Sequence, residues 1–268
     1  MTAIKPNNVI SVSSPMLYWT LNDGELDSSA TTVASHPAST YAINLPLLQA
    51  VGTQWGVTNY WTGSGTEVIQ ALWSAHPTEF DAVFKIANGC GLMWCQINGV
   101  QASGGGYILQ LGLRGTFVSG ITLRIDAGNW KAECQFAGTG DAAVTGVTSS
   151  AACLLDPAAP VVIAVLIDHR LDGDNCAMMF NNGIGGVRTN SVTLGDVGSL
   201  DMGGTASGKV VNIGSLVTAG GGEFSFYNRS IRNFGFINFG DNMPSNIDKV
   251  VTDLLSNNGR LVQSMEGI

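Results

Sequence analysis

Apolar residues recur at alternate positions along most of this chain, and each short run of them closes in a cluster of Gly, Asn, Asp or Ser. A period of two marks strands with one buried face, and the closing clusters suit tight reversals. The pattern predicts strands over 16–21, 68–74, 82–87, 92–97, 107–113, 121–125, 130–136, 161–167, 176–181, 187–192, 210–216, 224–227 and 234–239. Asn-Gly at 98–99 and 182–183 and Asp-Gly at 23–24 supply the positive φ of hairpin turns. One segment breaks the period. Ile247, Val250, Val251, Leu254 and Leu255 fall at i, i+3, i+4, i+7 and i+8, the stripe of an amphipathic helix. Ser245 is placed to cap it, Asp248 to complement its dipole and Gly259 to close its other end. Two packed sheets follow from the number of strands, and the Phe224, Phe226, Phe234, Phe236, Phe239 series reads as core.

Composition narrows the reading. Of 268 residues, 45% are hydrophobic and 12% charged, too few charges to keep a chain open, so the chain folds around a core. No fixed repeat and no long linker divides it. We expect one domain over 14–268, preceded by an arm over 1–13 that contains Pro6. Twelve Lys and Arg against 20 Asp and Glu give a net charge of −8, which argues against nucleic acid as a partner. No apolar run approaches the length of a membrane span, and Met1–Val12 has no apolar h-region, so the expectation is synthesis in the cytoplasm without a signal peptide. Under that expectation the sequon Asn228-Arg229-Ser230 is silent. The 5 cysteines are odd in number and scattered, and read as buried thiols.

The order of segments resembles a known superfamily. Tyr18-Trp19-Thr20-Leu21, Asn22-Asp23-Gly24 and Asp27-Ser28-Ser29 resemble the opening of laminin G-like domains in the concanavalin A-like lectin/glucanase superfamily. Residues 161–168 followed by 176–183 (CAMMFNNG) are similar to a strand pair in the middle of such domains. Val211-Asn212-Ile213-Gly214 and then 223–239 are similar to their ending, with a short helix after it. The resemblance implies an all-β fold: a two-sheet antiparallel jelly-roll sandwich with one short C-terminal helix. It implies no single function, because the same sandwich serves enzymes, lectins, adhesion modules and structural proteins.

Candidate chemistry is sparse. The glucanase branch pairs two glutamates in E-x-D-x-x-E; here Glu25 and Asp27 stand in place but Ala30 takes the second glutamate's position, so a retaining carboxylate pair is not built. Residues 203–209 have phosphate-loop spacing, yet Val210 replaces the magnesium-binding hydroxyl and the continuation is strand-like. Cys90 and Cys95 lack a second zinc pair, His36, His76 and His169 are isolated, and no G-x-S-x-G elbow occurs. Catalytic residues are therefore assigned to none, and the chain reads as not an enzyme. Asp168, Asp172, Asp174 and Asn175 gather oxygen ligands that suit part of a calcium shell, although a solvated hairpin turn has the same composition. Calcium is the sole cofactor considered. Trp55, Tyr60 and Trp61, in a stretch rich in Gly, Thr and Asn, offer ring faces beside polar rims, as a glycan site does; rings packed in a loop or subunit interface look alike in sequence.

Low charge on a large sandwich suggests a surface partly covered by symmetric contacts. The first expectation is thus a non-catalytic structural protein of a tailed-phage virion, a capsid decoration or fibre component. It would assemble as a homo-oligomer, with a trimer favoured, on the capsid shell or tail. The alternative is a carbohydrate-binding module for attachment to host glycans; a polysaccharide-degrading enzyme comes third.

Overall fold

The alternating runs pair into two antiparallel sheets with a common apolar interior. The computed structural model describes residues 14–20, 32–36, 39–48, 61–62, 68–84, 90–98, 106–113, 120–126, 131–137, 144–148, 160–168, 175–183, 190–194, 209–217, 223–224 and 230–260. The seven-stranded sheet, here the back sheet, runs β1 (Met16–Trp19), β17 (Ser230–Gly240), β6 (Cys90–Asn98), β11 (Pro160–Asp168), β12 (Asn175–Asn181), β13 (Asn190–Leu194), with β4 (Trp61–Thr62) also on β17. The eight-stranded front sheet runs β10 (Val144–Thr148), β9 (Lys131–Ala137), β8 (Gly120–Asp126), β7 (Gly106–Leu113), β14 (Lys209–Ile213), β5 (Val68–Leu72), β3 (Leu45–Leu48), β2 (Thr32–Val33). A two-stranded ribbon, β15 (Leu216–Val217) with β16 (Glu223–Phe224), follows β14. The architecture is the expected two-sheet jelly-roll sandwich.

Between the sheets lie Trp19, Trp73, Phe84, Ile97, Leu109, Leu123, Val165, Ile213, Phe234 and Phe236, all buried. A second apolar layer lies on the other face of the back sheet, where Tyr18, Leu92, Trp94, Val162, Leu166 and Ile237 meet Val250, Val251, Leu254 and Leu255 of α2 (Ile247–Ser256). The back sheet is therefore apolar on both faces, which explains the unbroken run Val161–Ile167: a central strand covered on both sides has no polar face to show. Each buried Val or Leu of α2 contributes about 1.5–3 kcal/mol. The half-exposed Lys249–Asp253 pair, 2.7 Å apart, contributes about 0.3–0.5 kcal/mol, so packing holds the helix.

Buried amides pin α2 to the sheet. Asn233 Nδ2 donates to Gln96 Oε1 and to the Asn258 carbonyl, both at 2.9 Å, and Tyr18 Oη donates to Asn233 Oδ1 at 3.3 Å. Trp94 Nε1 donates to the Gly259 carbonyl at 2.9 Å, and Asn182 Nδ2 to the Leu255 carbonyl at 2.9 Å. Asn233 has φ 51 within β17, and the register there shifts between Arg232 and Gly235. This bulge lets Ile231 and Phe234, three residues apart, both enter the same core. A second shift between Asn238 and Gly240 follows, and Phe239 lies in the outer layer while Phe236 lies in the inner one. The side chains of Phe224 and Phe226 are outside the described set. The outer edge of β1 is closed by hydroxyls: Ser39 Oγ accepts from Tyr18 N and Thr40 Oγ1 from Met16 N, each at 2.9 Å. Such a cover withholds an exposed edge from strand addition.

Several local expectations need correction. Residues 82–84, read as the start of a strand, end a second helix, α1 (Pro77–Phe84). Ala82 and Phe84 alternate, but Phe80, Val83 and Phe84 have helical spacing, Pro77 suits a first helical position, and all three apolar side chains reach the core. The strand predicted over 68–74 stops at Leu72, and Trp73–Ala75 form a single 3-10 turn. The one predicted over 210–216 breaks at Gly214, whose φ is 97. Asn246, not Ser245, occupies the N-cap of α2, and it makes no side-chain cap bond; Gly259 closes the helix as expected, at φ 74. Strands β2, β3, β4 and β10 were not predicted, being short, proline-bearing or polar in sequence.

Candidate functional site

The outer faces of the two sheets differ in chemistry. On the back sheet α2 and its amide bonds occupy the face. On the front sheet the strands that send Ile69, Leu109, Ile121 and Val211 inward place polar residues at the adjacent positions Gln70, Gln110, Thr122 and Asn212. The registers align those residues across the strands: Gln70 opposite Asn212, Asn212 opposite Gln110, Gln110 opposite Thr122, and Thr122 opposite Gln135. One row thus crosses β5, β14, β7, β8 and β9. On one side of it lies the row Leu72, Val210, Gly112, Gly120, Ala137, and on the other Tyr107, Arg124, Glu133.

The centre of the row is fixed by its own bonds. Gln70 Nε2 donates to Asn212 Oδ1 at 3.3 Å, while Asn212 Nδ2 donates to the Ser215 carbonyl at 2.7 Å and to Ser215 Oγ at 3.0 Å. Asn212 and Ser215 are 0% exposed and Gln110 is 2% exposed, so these three are closed to solvent. Gln70, Thr122, Tyr107 and Arg124 are partly exposed, and Leu72 is 41% exposed. Amides and hydroxyls both donate and accept, so the arrangement suits a ligand whose groups do the same. Sequence reading missed this row because its members lie far apart along the chain. A signal was present: Ile69-Gln70-Ala71, Leu109-Gln110-Leu111, Ile121-Thr122-Leu123, Cys134-Gln135-Phe136 and Val211-Asn212-Ile213 each place one polar residue between apolar ones.

The residues singled out from the sequence are placed as follows. Trp61 begins β4 and pairs with Ile231 of β17, on the back sheet, with only its backbone described; Trp55 and Tyr60 lie outside the described residues. Asp168 ends β11, 6% exposed, at the register position between Cys90 and Cys176. Asn175 opens β12 opposite Leu194, while Asp172 and Asp174 lie outside the described residues. Among the described residues no group of three or more His, Cys, Asp or Glu is placed to hold a metal. Lys209, after the phosphate-loop-like stretch, starts β14 rather than a helix, so the loop has no helix N-terminus to offer.

Cys90, Cys95 and Cys134 are buried thiols outside any disulfide, as expected. Burial pushes the Cys95 thiol up to about 12. Cys134 is raised well above the usual thiol range, by burial first and then by Cys95. Neither supplies a thiolate at neutral pH, so both serve as small hydrophobes. Among the described residues no helix is long and apolar enough to cross a membrane.

No family model matches the chain, and no curated protein is similar to it in sequence. Solved structures do share its fold. The binding domain of botulinum neurotoxin serotype D superposes with a TM-score of 0.53 at 14% identity, over 91% of this chain and 51% of the toxin domain. The CBM40 of Ruminococcus gnavus IT-sialidase, bound to α2,3 sialyllactose, superposes with a TM-score of 0.50 at 12% identity, over 71% of this chain and 93% of that module. At these identities the likeness establishes the fold alone. The chain is a lectin-like antiparallel sandwich, and it spans about half of the toxin domain.

Proposed function

We propose that this chain is a carbohydrate-binding sandwich that holds a glycan without transforming it, on the outer face of the front sheet. The observation that carries the reading is the pair of partly exposed polar side chains Gln70 and Thr122, in register through the buried Asn212 and Gln110, on the sheet opposite the one that α2 covers. Gln70 lies on the same strand face as the exposed Leu72, a polar group beside an apolar one, the mixture that sugar rings require. The sialyllactose-bound CBM40 supports the reading by shared fold. The part of the proposal that excludes turnover is supported by the interrupted Glu25, Asp27, Ala30 motif, which lacks the second carboxylate of a retaining pair.

The test is a glycan array probed with the purified protein and with Gln70→Ala and Thr122→Ala. Binding that both substitutions weaken supports the reading, and a flat array overturns it. Trp55, Tyr60 and Trp61 are proposed as a separate glycan contact; Trp61→Ala and Trp55→Ala on the same array test that part by itself. The setting proposed is the surface of a tailed-phage virion, where a glycan-holding sandwich would serve host attachment as a homo-oligomer. Its support is the low charge of the chain.

A further inference from the structure

The outer apolar layer of the back sheet has a rim that differs in chemistry from its centre. Met178 and Phe180 of β12, Met243 ahead of α2 and Ile247 in its first turn pack against that layer and stay partly exposed, whereas Val250, Val251, Leu254 and Leu255 are buried. Two of these four rim residues carry a thioether. We infer that Met178 and Met243 form a modification site for hydrogen peroxide, and that their conversion to sulfoxides loosens α2 from the back sheet. The site lies on the sheet opposite the proposed glycan face and is independent of that reading.

Strand alternation sets which sulfurs an oxidant can reach. Met178 and Met179 are neighbours on β12: Met179 enters the inner core at 0% exposure, so Met178 stands on the outer face, where it is partly exposed. Met16 and Met93 are shielded as well, at 3% and 1%. Met243 lies between β17 and α2, just after a turn in which Asn242 N donates to the Phe239 carbonyl at 3.2 Å, and it too is partly exposed. Among the described methionines, Met178 and Met243 are therefore the accessible ones.

Oxidation changes polarity where the helix meets the sheet. The thioether sulfur attacks one peroxide oxygen, an S–O bond forms as the O–O bond breaks, and the sulfur gives up two electrons while the rest of the peroxide leaves as water. The resulting sulfoxide is a polar acceptor that needs a donor. The outer layer has none to spare: Tyr18 Oη, Trp94 Nε1 and Cys90 Sγ are already committed to Asn233, Gly259 and Gly240. Met178 holds the register position opposite Leu166, itself part of the layer that α2 covers. Because packing rather than the exposed Lys249–Asp253 pair holds α2, a polar rim weakens the helix's attachment first. The change is reversible in kind, since methionine sulfoxide reductases return each epimer to the thioether.

The experiment treats the full chain with hydrogen peroxide, follows each methionine by peptide mass spectrometry and reads α2 by amide hydrogen exchange over Ile247–Ser256. Met178 and Met243 are expected to gain oxygen at least about tenfold faster than Met16, Met93 and Met179. Exchange in α2 should then quicken by about tenfold while β7 and β8 of the front sheet hold steady, and the reductases for both epimers should reverse it. In the volume-conserving variant Met178→Leu with Met243→Leu, peroxide is expected to leave α2 exchange unchanged, although Met1, Met202 and Met265 remain. Each single variant gives the same comparison at half the rim if the pair together does not fold. Met179 oxidising as fast as Met178 would overturn the inference. So would sulfoxides that leave α2 exchange unchanged, or a quickening that persists in the leucine variants.

Discussion

At the residue scale, individual positions are constrained by what lies within a few ångströms, and those constraints give direct tests. A Cβ added at Gly235 would sit 2.1 Å from the Trp94 ring, which cannot swing away without breaking its 2.9 Å bond to the Gly259 carbonyl. Gly235→Ala is expected to destabilise by about 1–3 kcal/mol or to leave the protein insoluble, read as a fall in the denaturant midpoint. The buried thiols give a pH test. Cys95 is held protonated up to about 12 in the folded protein, against an ordinary value of 9.0 when unfolded. Above pH 9 the unfolded chain loses a proton that the folded one keeps, so stability is full below about pH 9 and falls as pH rises toward 12, at about 1.4 kcal/mol per pH unit for this group. Denaturation midpoints at pH 8 and about 10.5 check the slope, and Cys95→Ala should reduce it without abolishing it, because the buried Cys134 is raised in the same direction. Neither constraint was legible in the sequence. Gly235 sits in an ordinary-looking strand, and nothing local says that Trp94 crosses above it.

Among the elements, what could be read ahead of the structure depended on how far a pattern reached. α2 was visible because five apolar residues keep one helical phase, and Gly259 ends it where a left-handed residue is needed. α1 was misread because an eight-residue helix offers only about two turns, over which Ala82 and Phe84 satisfy a strand's period as well. The core decides between the two: Phe80 meets Trp73 edge-on and Phe84 meets it tilted, at ring distances of 5.4 and 5.3 Å, which the helix permits. If packing rather than propensity holds α2, Leu254→Ala should cost about 2–5 kcal/mol, whereas Lys249→Ala on its exposed side should cost about 0.5 kcal/mol or less. Thermal and urea unfolding of the two variants check the ratio, and equal effects would contradict the account. The unpredicted β3 contains Pro46, and its pairing with β5 through Leu47 and Leu48 is a tertiary choice that local rules disfavour.

The whole molecule divides its labour between two sheets. The back sheet is sealed by α2, and the front sheet keeps an outward polar row. The proposed oligomer belongs to this scale: light scattering is expected to return a trimer, and a monomer at all concentrations would remove the assembled setting from the proposal. Chelation is expected to leave size and melting temperature unchanged, because Asp168 is buried at a position flanked by Cys90 and Cys176, a poor surrounding for a calcium ion that needs six to eight oxygens. A drop in Tm on adding EDTA would instead support a calcium at 168–175. By itself the sequence determined the class of fold, the burial of the central run Val161–Ile167, the C-terminal helix and the absence of a complete E-x-D-x-x-E pair, since each is written in neighbouring residues whose spacing reports their own backbone. Only the tertiary structure decided that Gln70, Asn212, Gln110 and Thr122 share a row, because strand order and register are set by the packing of both sheets around Trp19, Trp73 and Phe236, which no local spacing encodes.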